Sequence, residues 1–228
     1  MLQRRLQQIG MRRMATIKPL HIVRGKTLSL VIRWEQRTPI ISKAITAISF
    51  ATGFPRLTVA SHGIPDGWRS AVVRVAAPKE INSKNDIPRT SDLRETTVID
   101  ANTIEYNGLV PVTDGRDWAA YTTGGFVQYH TPKDLTDYEI RVKVKDHVGG
   151  TVLLSTELGD APLNLITAVA DNATKSIAIE IDCANETLNE TLTWNKGAWE
   201  VEGESSTGTV ESIIAPSPVT VGDEVVTP

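Results

Sequence analysis

The middle of this chain is written in short alternating runs that end on turn residues, a pattern that suits sheets rather than helices. Three phrases carry it: Thr58-Val-Ala-Ser-His-Gly-Ile-Pro-Asp-Gly-Trp68, Thr97-Val-Ile-Asp-Ala-Asn-Thr-Ile-Glu-Tyr-Asn-Gly108 and Tyr121-Thr-Thr-Gly-Gly125. His62-Gly63 and Asp66-Gly67 supply glycines where tight turns need positive φ. Ala101-Asn102 lies between two alternating runs, as a hairpin tip does. The three phrases predict a small all-β module from Lys43 to Tyr129.

The flanks read as strands too. Leu28, Leu30 and Ile32 share one face of Thr27–Trp34, and Trp34 continues it into the core until Arg37-Thr-Pro-Ile breaks the run. Glu139–Lys145 sets Ile140, Val142 and Val144 against Arg141, Lys143 and Lys145, the clearest half-buried strand of the chain. Val152–Ser155, Leu163–Ala168, Ser176–Ile181, Trp199–Gly203 and Thr209–Ala215 follow, with a helical turn expected over Asn185–Leu192. Ala76 to Arg94 is long, polar and rich in turn residues, the kind of loop that is usually functional or mobile. His130-Thr-Pro-Lys reads as a junction. The strand at Thr27–Trp34 is too apolar on one face to stand alone, and its natural partners come after Glu139. The expected fold is therefore all-β: a discontinuous β-sandwich built from residues 16–42 and 130–216, with the module of residues 43–129 inserted. Residues 1–15 form a basic N-terminal arm and residues 217–228 an exposed tail.

The order "apolar strand, HG-x-x-DG, V-V strand, polar loop, T-V-x-D-A-N-T-I-E, A-Y-T-x-G-G" resembles the β-barrel insertion in the first catalytic cysteine half-domain of ubiquitin-activating enzymes. Similar insertions recur in virion proteins of tailed bacteriophages. The matching residues are His62, Gly63, Asp66, Gly67, Asp100, Asn102, Thr103, Tyr121, Gly124 and Gly125. Gly25–Trp34, Asp134–Asp146 and Gly149–Leu154 are similar to strands of the phage baseplate upper protein's N-terminal domain and related tail proteins. The resemblance spans Arg24 to about Val221. It implies that the sandwich is immunoglobulin-like and that residues 43–129 form an inserted small β-barrel. It also implies a structural subunit of the tail, baseplate or fibre-attachment region, assembled in the host cytoplasm and working through symmetric protein–protein contacts. A carbohydrate-binding accessory module for host-surface adhesion, and a head decoration or connector protein, are the alternatives.

Charge is distributed unevenly although the net value is only −3. Arg4, Arg5, Arg12, Arg13, Lys18, Arg24 and Lys26 precede any acid, whereas Glu180 to Pro228 holds ten acids and the single base Lys196. No aromatic side chain interleaves with the arginines, which argues against nucleic acid. An acidic surface on a neighbouring subunit is the partner these charges fit. Arg4, Arg5, Arg12, Arg13, Arg24, Lys26, Trp118 and Trp194 are accordingly the candidate partner-binding residues, and a homo-oligomer is expected. Leu2, Leu6 and Ile9 give Met1–Arg13 a helical spacing, and Met11 and Met14 are alternative starts.

Catalytic signals are sparse. His21, His62, His130 and His147 have no second ligand at metal spacing, and His62 reads as a turn residue. Nucleophile-elbow, Walker and dinucleotide signatures are absent from the sequence. Cys183, the one cysteine, follows alternating isoleucines and reads as a buried thiol. No enzyme activity, cofactor or metal is expected, and no apolar run reaches the roughly 20 residues of a membrane span. Trp68, Trp118, Trp194 and Trp199 are either sugar platforms or packing residues.

Overall fold

The structure, a computed structural model, describes residues 18–113, 115–157, 159, 166–184 and 192–223. Strands make up 54% of it and helix 3%, so the fold is all-β, in several sheets that include a curled half-barrel. The expected helical segments at Met1–Arg13 and within Asn185–Leu192 lie outside the described residues, Leu192 excepted.

Two compact units emerge, one of Met1–Ile32, Thr136–Ala170 and Ile177–Pro228, the other of Arg33–Leu135 and Asp171–Ser176. The first has β-sandwich character. Its larger sheet runs β1 (Leu20–Val23), β18 (Val210–Gly222), β17 (Lys196–Ser205), β13 (Tyr138–Lys145) and β14 (Val152–Ser155). Its smaller sheet runs β15 (Ile166–Asp171), β16 (Ser176–Ile181) and β2 (Leu28–Arg33). Period-two alternation decides which side is buried. Ile140, Val142 and Val144 on β13 and Ile177, Ile179 and Ile181 on β16 are all enclosed, whereas Leu30 on the edge strand β2 is only half-buried. Cys183 is fully buried as a free thiol, and burial pushes its pKa up to about 11.

β1 is parallel to β18, with Leu20 opposite Val219 and Val23 opposite Gly222. Residues 217–222 are therefore not an exposed tail. Ser217, Val219 and Val221 are buried, because β18 continues past Ala215 between β17 and β1. Its pairing with β17 shifts register between Trp199 and Val201 and again before Glu202. These bulges bury the consecutive Ile213 and Ile214. β1 pairs only with the last four residues of β18, so Pro216 and Pro218 occupy a stretch with one open side, where a missing N–H is tolerated.

The second unit holds a four-stranded sheet of β3 (Glu35–Ala44), β12 (Gly124–Pro132), β6 (Arg69–Val75) and β7 (Arg94–Glu95). A second sheet comprises β4 (Ala47–Ser49), β5 (Arg56–Thr58), β9 (Thr103–Glu105) and β8 (Thr97–Asp100). A miniature hairpin, β10 (Val112–Thr113) and β11 (Arg116–Asp117), rises from the stretch after Asn107. Leu57, Val59, Trp68, Val72, Ile104, Tyr106, Val127 and Tyr129 form its core.

The expected divisions after residue 42 and before residue 130 fall inside β3 and β12. These strands zip antiparallel from Phe126 opposite Ala44 to Pro132 opposite Glu35. Residues 37–39 bulge out between the pairs His130–Ile40 and Thr131–Gln36, so Pro39 bends the edge strand without ending it. His130 is a buried strand residue and not a junction. The loop from Ala76 to Arg94 is fastened to β6. Asn82 accepts the Val75 N–H (2.8 Å) and donates to the Val75 carbonyl (2.9 Å), copying a strand neighbour with its side chain.

Ile177→Ala should cost about 2–4 kcal/mol in urea unfolding, and Leu30→Ala clearly less, about 1–2 kcal/mol. Equal losses at the two positions would place Leu30 in the core.

Candidate functional site

Several side chains of the turn-rich phrases lock the backbone of the second unit. The His62 ring is buried. Its Nδ1 accepts the Ile64 N–H (3.0 Å), so Nε2 carries the hydrogen and donates to the Asp100 carbonyl (2.7 Å). The Tyr129 hydroxyl donates to the His62 carbonyl. Asn102 Oδ1 accepts the Ser61 N–H (2.8 Å), holding Ser61 at φ +46°. Asp100 Oδ1 accepts the Asn102 N–H (2.7 Å), and that bond keeps its carboxyl below the usual carboxylate range. Asp66 Oδ1 takes the Val98 N–H (2.9 Å) on β8, an outermost strand of its sheet. The Tyr121 hydroxyl lies within hydrogen-bond distance of the Ile45 (3.1 Å) and Gly124 (3.0 Å) carbonyls. Gly125 has φ +95°, and a Cβ there would sit 2.3 Å from Val75 Cγ2. His62 is thus more than a turn residue: it ties the loop before Trp68 to the β8–β9 hairpin tip.

A hydrogen-bonded triad of Glu35, Arg69 and His130 spans three adjacent strands of the same unit. Glu35 Oε1 receives two hydrogen bonds from Arg69 (2.7 and 3.0 Å), and Glu35 Oε2 lies 2.9 Å from His130 Nδ1. His130 is 6% exposed. Burial alone would raise the Glu35 pKa, but hydrogen bonds from His130 and Arg69 and their charges outweigh it and hold it below its ordinary value. Trp68 is fully buried, and its indole N–H donates to the His130 carbonyl (3.0 Å).

A ladder of ion pairs covers one side of the β13–β17 sheet. Arg141 pairs with Glu204 and Glu139, and its Nε lies 3.1 Å from Glu157 without the alignment of a hydrogen bond. Lys143 pairs with Glu157, and Lys145 with Glu200 at 2.5 Å. Such half-exposed pairs each contribute little, roughly 0–1 kcal/mol. A shallow polar hollow of about 520 Å³ adjoins the ladder, lined by Asp137, Glu139, Glu204 and the hairpin Ser205–Gly208.

The candidate partner-binding residues do not gather into one site. Arg4, Arg5, Arg12 and Arg13 lie outside the described residues. Arg24 is engaged within its own chain: its guanidinium reaches Asp223 (2.8 Å), Asn195 Oδ1 (3.0 Å) and the Leu192 carbonyl (2.9 Å). It is therefore a clasp for β1 and not a free contact. Lys26 is exposed in the turn after β1, with its N–H on the Val23 carbonyl (3.2 Å). Trp118 is half-buried, edge-on to Phe50 at 6.1 Å, and donates to Thr113 Oγ1 (2.7 Å). Trp194 is half-buried. Trp68 and Trp199 are enclosed and not available as sugar platforms. Among the described residues, no group of three or more His, Cys, Asp or Glu side chains is placed to hold a metal ion.

Sequence reasoning missed the triad because its members lie 34 and 95 positions from Glu35. The ladder did leave a signal: bases at 141, 143 and 145 and acids at 200, 202 and 204 share a period of two.

No protein-family model matches the chain, and no curated protein matches it.

His62→Ala leaves the Ile64 N–H and the Asp100 carbonyl unpartnered and should lower unfolding free energy by about 2–4 kcal/mol. Glu35→Gln should cost about 1–3 kcal/mol at neutral pH. Because the folded-state pKa of Glu35 is depressed, its stabilisation is complete above the unfolded value near 4.5 and disappears as pH falls through the lower folded value. Urea midpoints from pH 7 to pH 3 should show the wild-type and Glu35→Gln curves converging below about pH 4.5. Parallel curves down to pH 3 would refute stabilisation by an ionised Glu35.

Proposed function

We propose that this chain is a structural subunit of a tailed-phage virion, placed in the tail, baseplate or fibre-attachment region and acting by protein–protein assembly. One observation carries the reading. The residues behind the resemblance are the residues that lock the module, with His62, Asp66, Asp100, Asn102 and Tyr121 all directing polar atoms at backbone. The likeness therefore lies in a scaffold, and what such a scaffold offers is rigid sheet surface. The ion-pair ladder on the β13–β17 sheet supports the same reading, since ordered charge of both signs selects partners by complementarity. Arg4, Arg5, Arg12 and Arg13, which precede β1, are the residues proposed to meet an acidic neighbour. The carbohydrate-binding alternative is left with Trp118 and Trp194, because Trp68 and Trp199 are enclosed.

Antibodies raised against the purified protein should decorate one end of intact particles in immunogold images of the phage that carries the gene. Label confined to unassembled material, with none on purified virions, would overturn the assignment. Label on the capsid would move the protein to the head.

A further inference from the structure

β1 is the first strand of the described residues, and the structure shows the socket it fills and the turn that follows it. Its backbone pairs with the end of β18. Leu20, His21, Ile22 and Val23 pair with Val219–Gly222, and His21 Nδ1 lies 2.9 Å from Thr220 Oγ1. Just before the strand, the Lys18 N–H donates to Ser217 Oγ (3.0 Å), and the buried Trp199 donates its indole N–H to the Lys18 carbonyl (2.7 Å). Just after it, Arg24 N–H bonds the Gly222 carbonyl (2.9 Å), and the Arg24 side chain clasps Asp223. Ile22 is fully buried and Leu20 nearly so.

What joins this strand to the rest is a single turn, residues 24–27, closed by the Lys26 N–H on the Val23 carbonyl at 3.2 Å. Gly25 has φ +77°, and the space around its missing Cβ is open. Opening that turn would let β1 run on towards β2 as one extended segment and carry its side chains to another copy's socket. The hydrogen bonds and apolar packing that β1 gives up in its own chain would re-form, unchanged in kind, between two chains.

We infer that β1 is an exchangeable strand, and that its socket on β18 accepts the same strand, Lys18–Arg24, from a second copy of this chain. This inference rests on the assembly reading, because exchange needs the high local concentration that an assembling particle supplies. It names the partner as a like subunit and the interface as parallel strand addition to β18.

His21→Cys and Thr220→Cys, both at exposed positions facing each other across the β1–β18 pair, test it in the full-length protein. The two single variants are mixed, refolded together at high protein concentration and oxidised. A covalent heterodimer is expected on non-reducing gels, several-fold more abundant than with either variant alone or with wild type, whose Cys183 is buried. Inserting four residues after Gly25 should relax the turn and reduce that heterodimer several-fold. The double variant, refolded dilute, should close the same bond within one chain and shows that the chemistry is possible. If the double variant cross-links as a monomer and the mixed singles give no heterodimer at any concentration, the strand stays in its own chain and the inference falls. This readout uses purified protein, so its failure would leave the virion assignment standing, and failure of particle labelling would leave strand exchange standing.

Discussion

The constraint on which this structure depends is the need to satisfy backbone polar groups where many strands are only two to four residues long. Each buried N–H or C=O without a partner costs about 1–3 kcal/mol, and two- to four-residue strands leave many such groups at their ends. This protein answers with side chains. Asn82 acts as a missing strand for Val75, Asp66 takes the Val98 N–H, and His62 bonds both Ile64 and Asp100. Asn102 holds Ser61, and Tyr129 holds His62 itself. Remove these polar side chains and the second unit's core of Leu57, Trp68, Ile104 and Val127 would have no fixed frame around it.

The same economy explains what could be read from sequence. β14 and β16 match the expected bounds because they alternate or run apolar between clear turn signals. The hairpin at Ala101-Asn102 was legible for the same reason. The failures share one cause, which is proline and polar residues inside strands. Pro39 sits in a bulge on an edge strand, Pro132 ends β12, and Pro216 and Pro218 lie where β18 has an open side. At each of these places a missing N–H is harmless, yet sequence rules treat proline as a stop. His62 was legible as a turn residue but not as a two-ended latch, because its partners Asp100 and Ile64 are identified only by the fold. Glu35, Arg69 and His130 were invisible as a group for a related reason: strand order, not spacing, brings them together.

Charge does a different job from apolar burial here. The bases of β13 face the acids of β17, with Arg141 opposite Glu202 and Lys143 opposite Glu200. A one-residue slip would turn every one of these side chains to the apolar side and Val142 and Val144 to the surface. The ladder thus adds little to stability but marks one register as correct. Individually weak pairs are sufficient for that, since the penalty falls on the wrong alignment and not on the right one.

The pairing of β1 with β18 joins positions 199 residues apart. Long-range closure of this kind is slow to form, because the chain entropy of the whole loop is lost before the pairing returns anything. During synthesis, most of the second unit, Arg33–Leu135, has left the ribosome while β18 is still to be made. The larger sheet of the first unit cannot be completed until β18 has been made. The nascent protein therefore passes through a period in which Leu20 and Ile22 have no socket, and for that interval the order of translation, more than the final energy, governs which β18 they meet first.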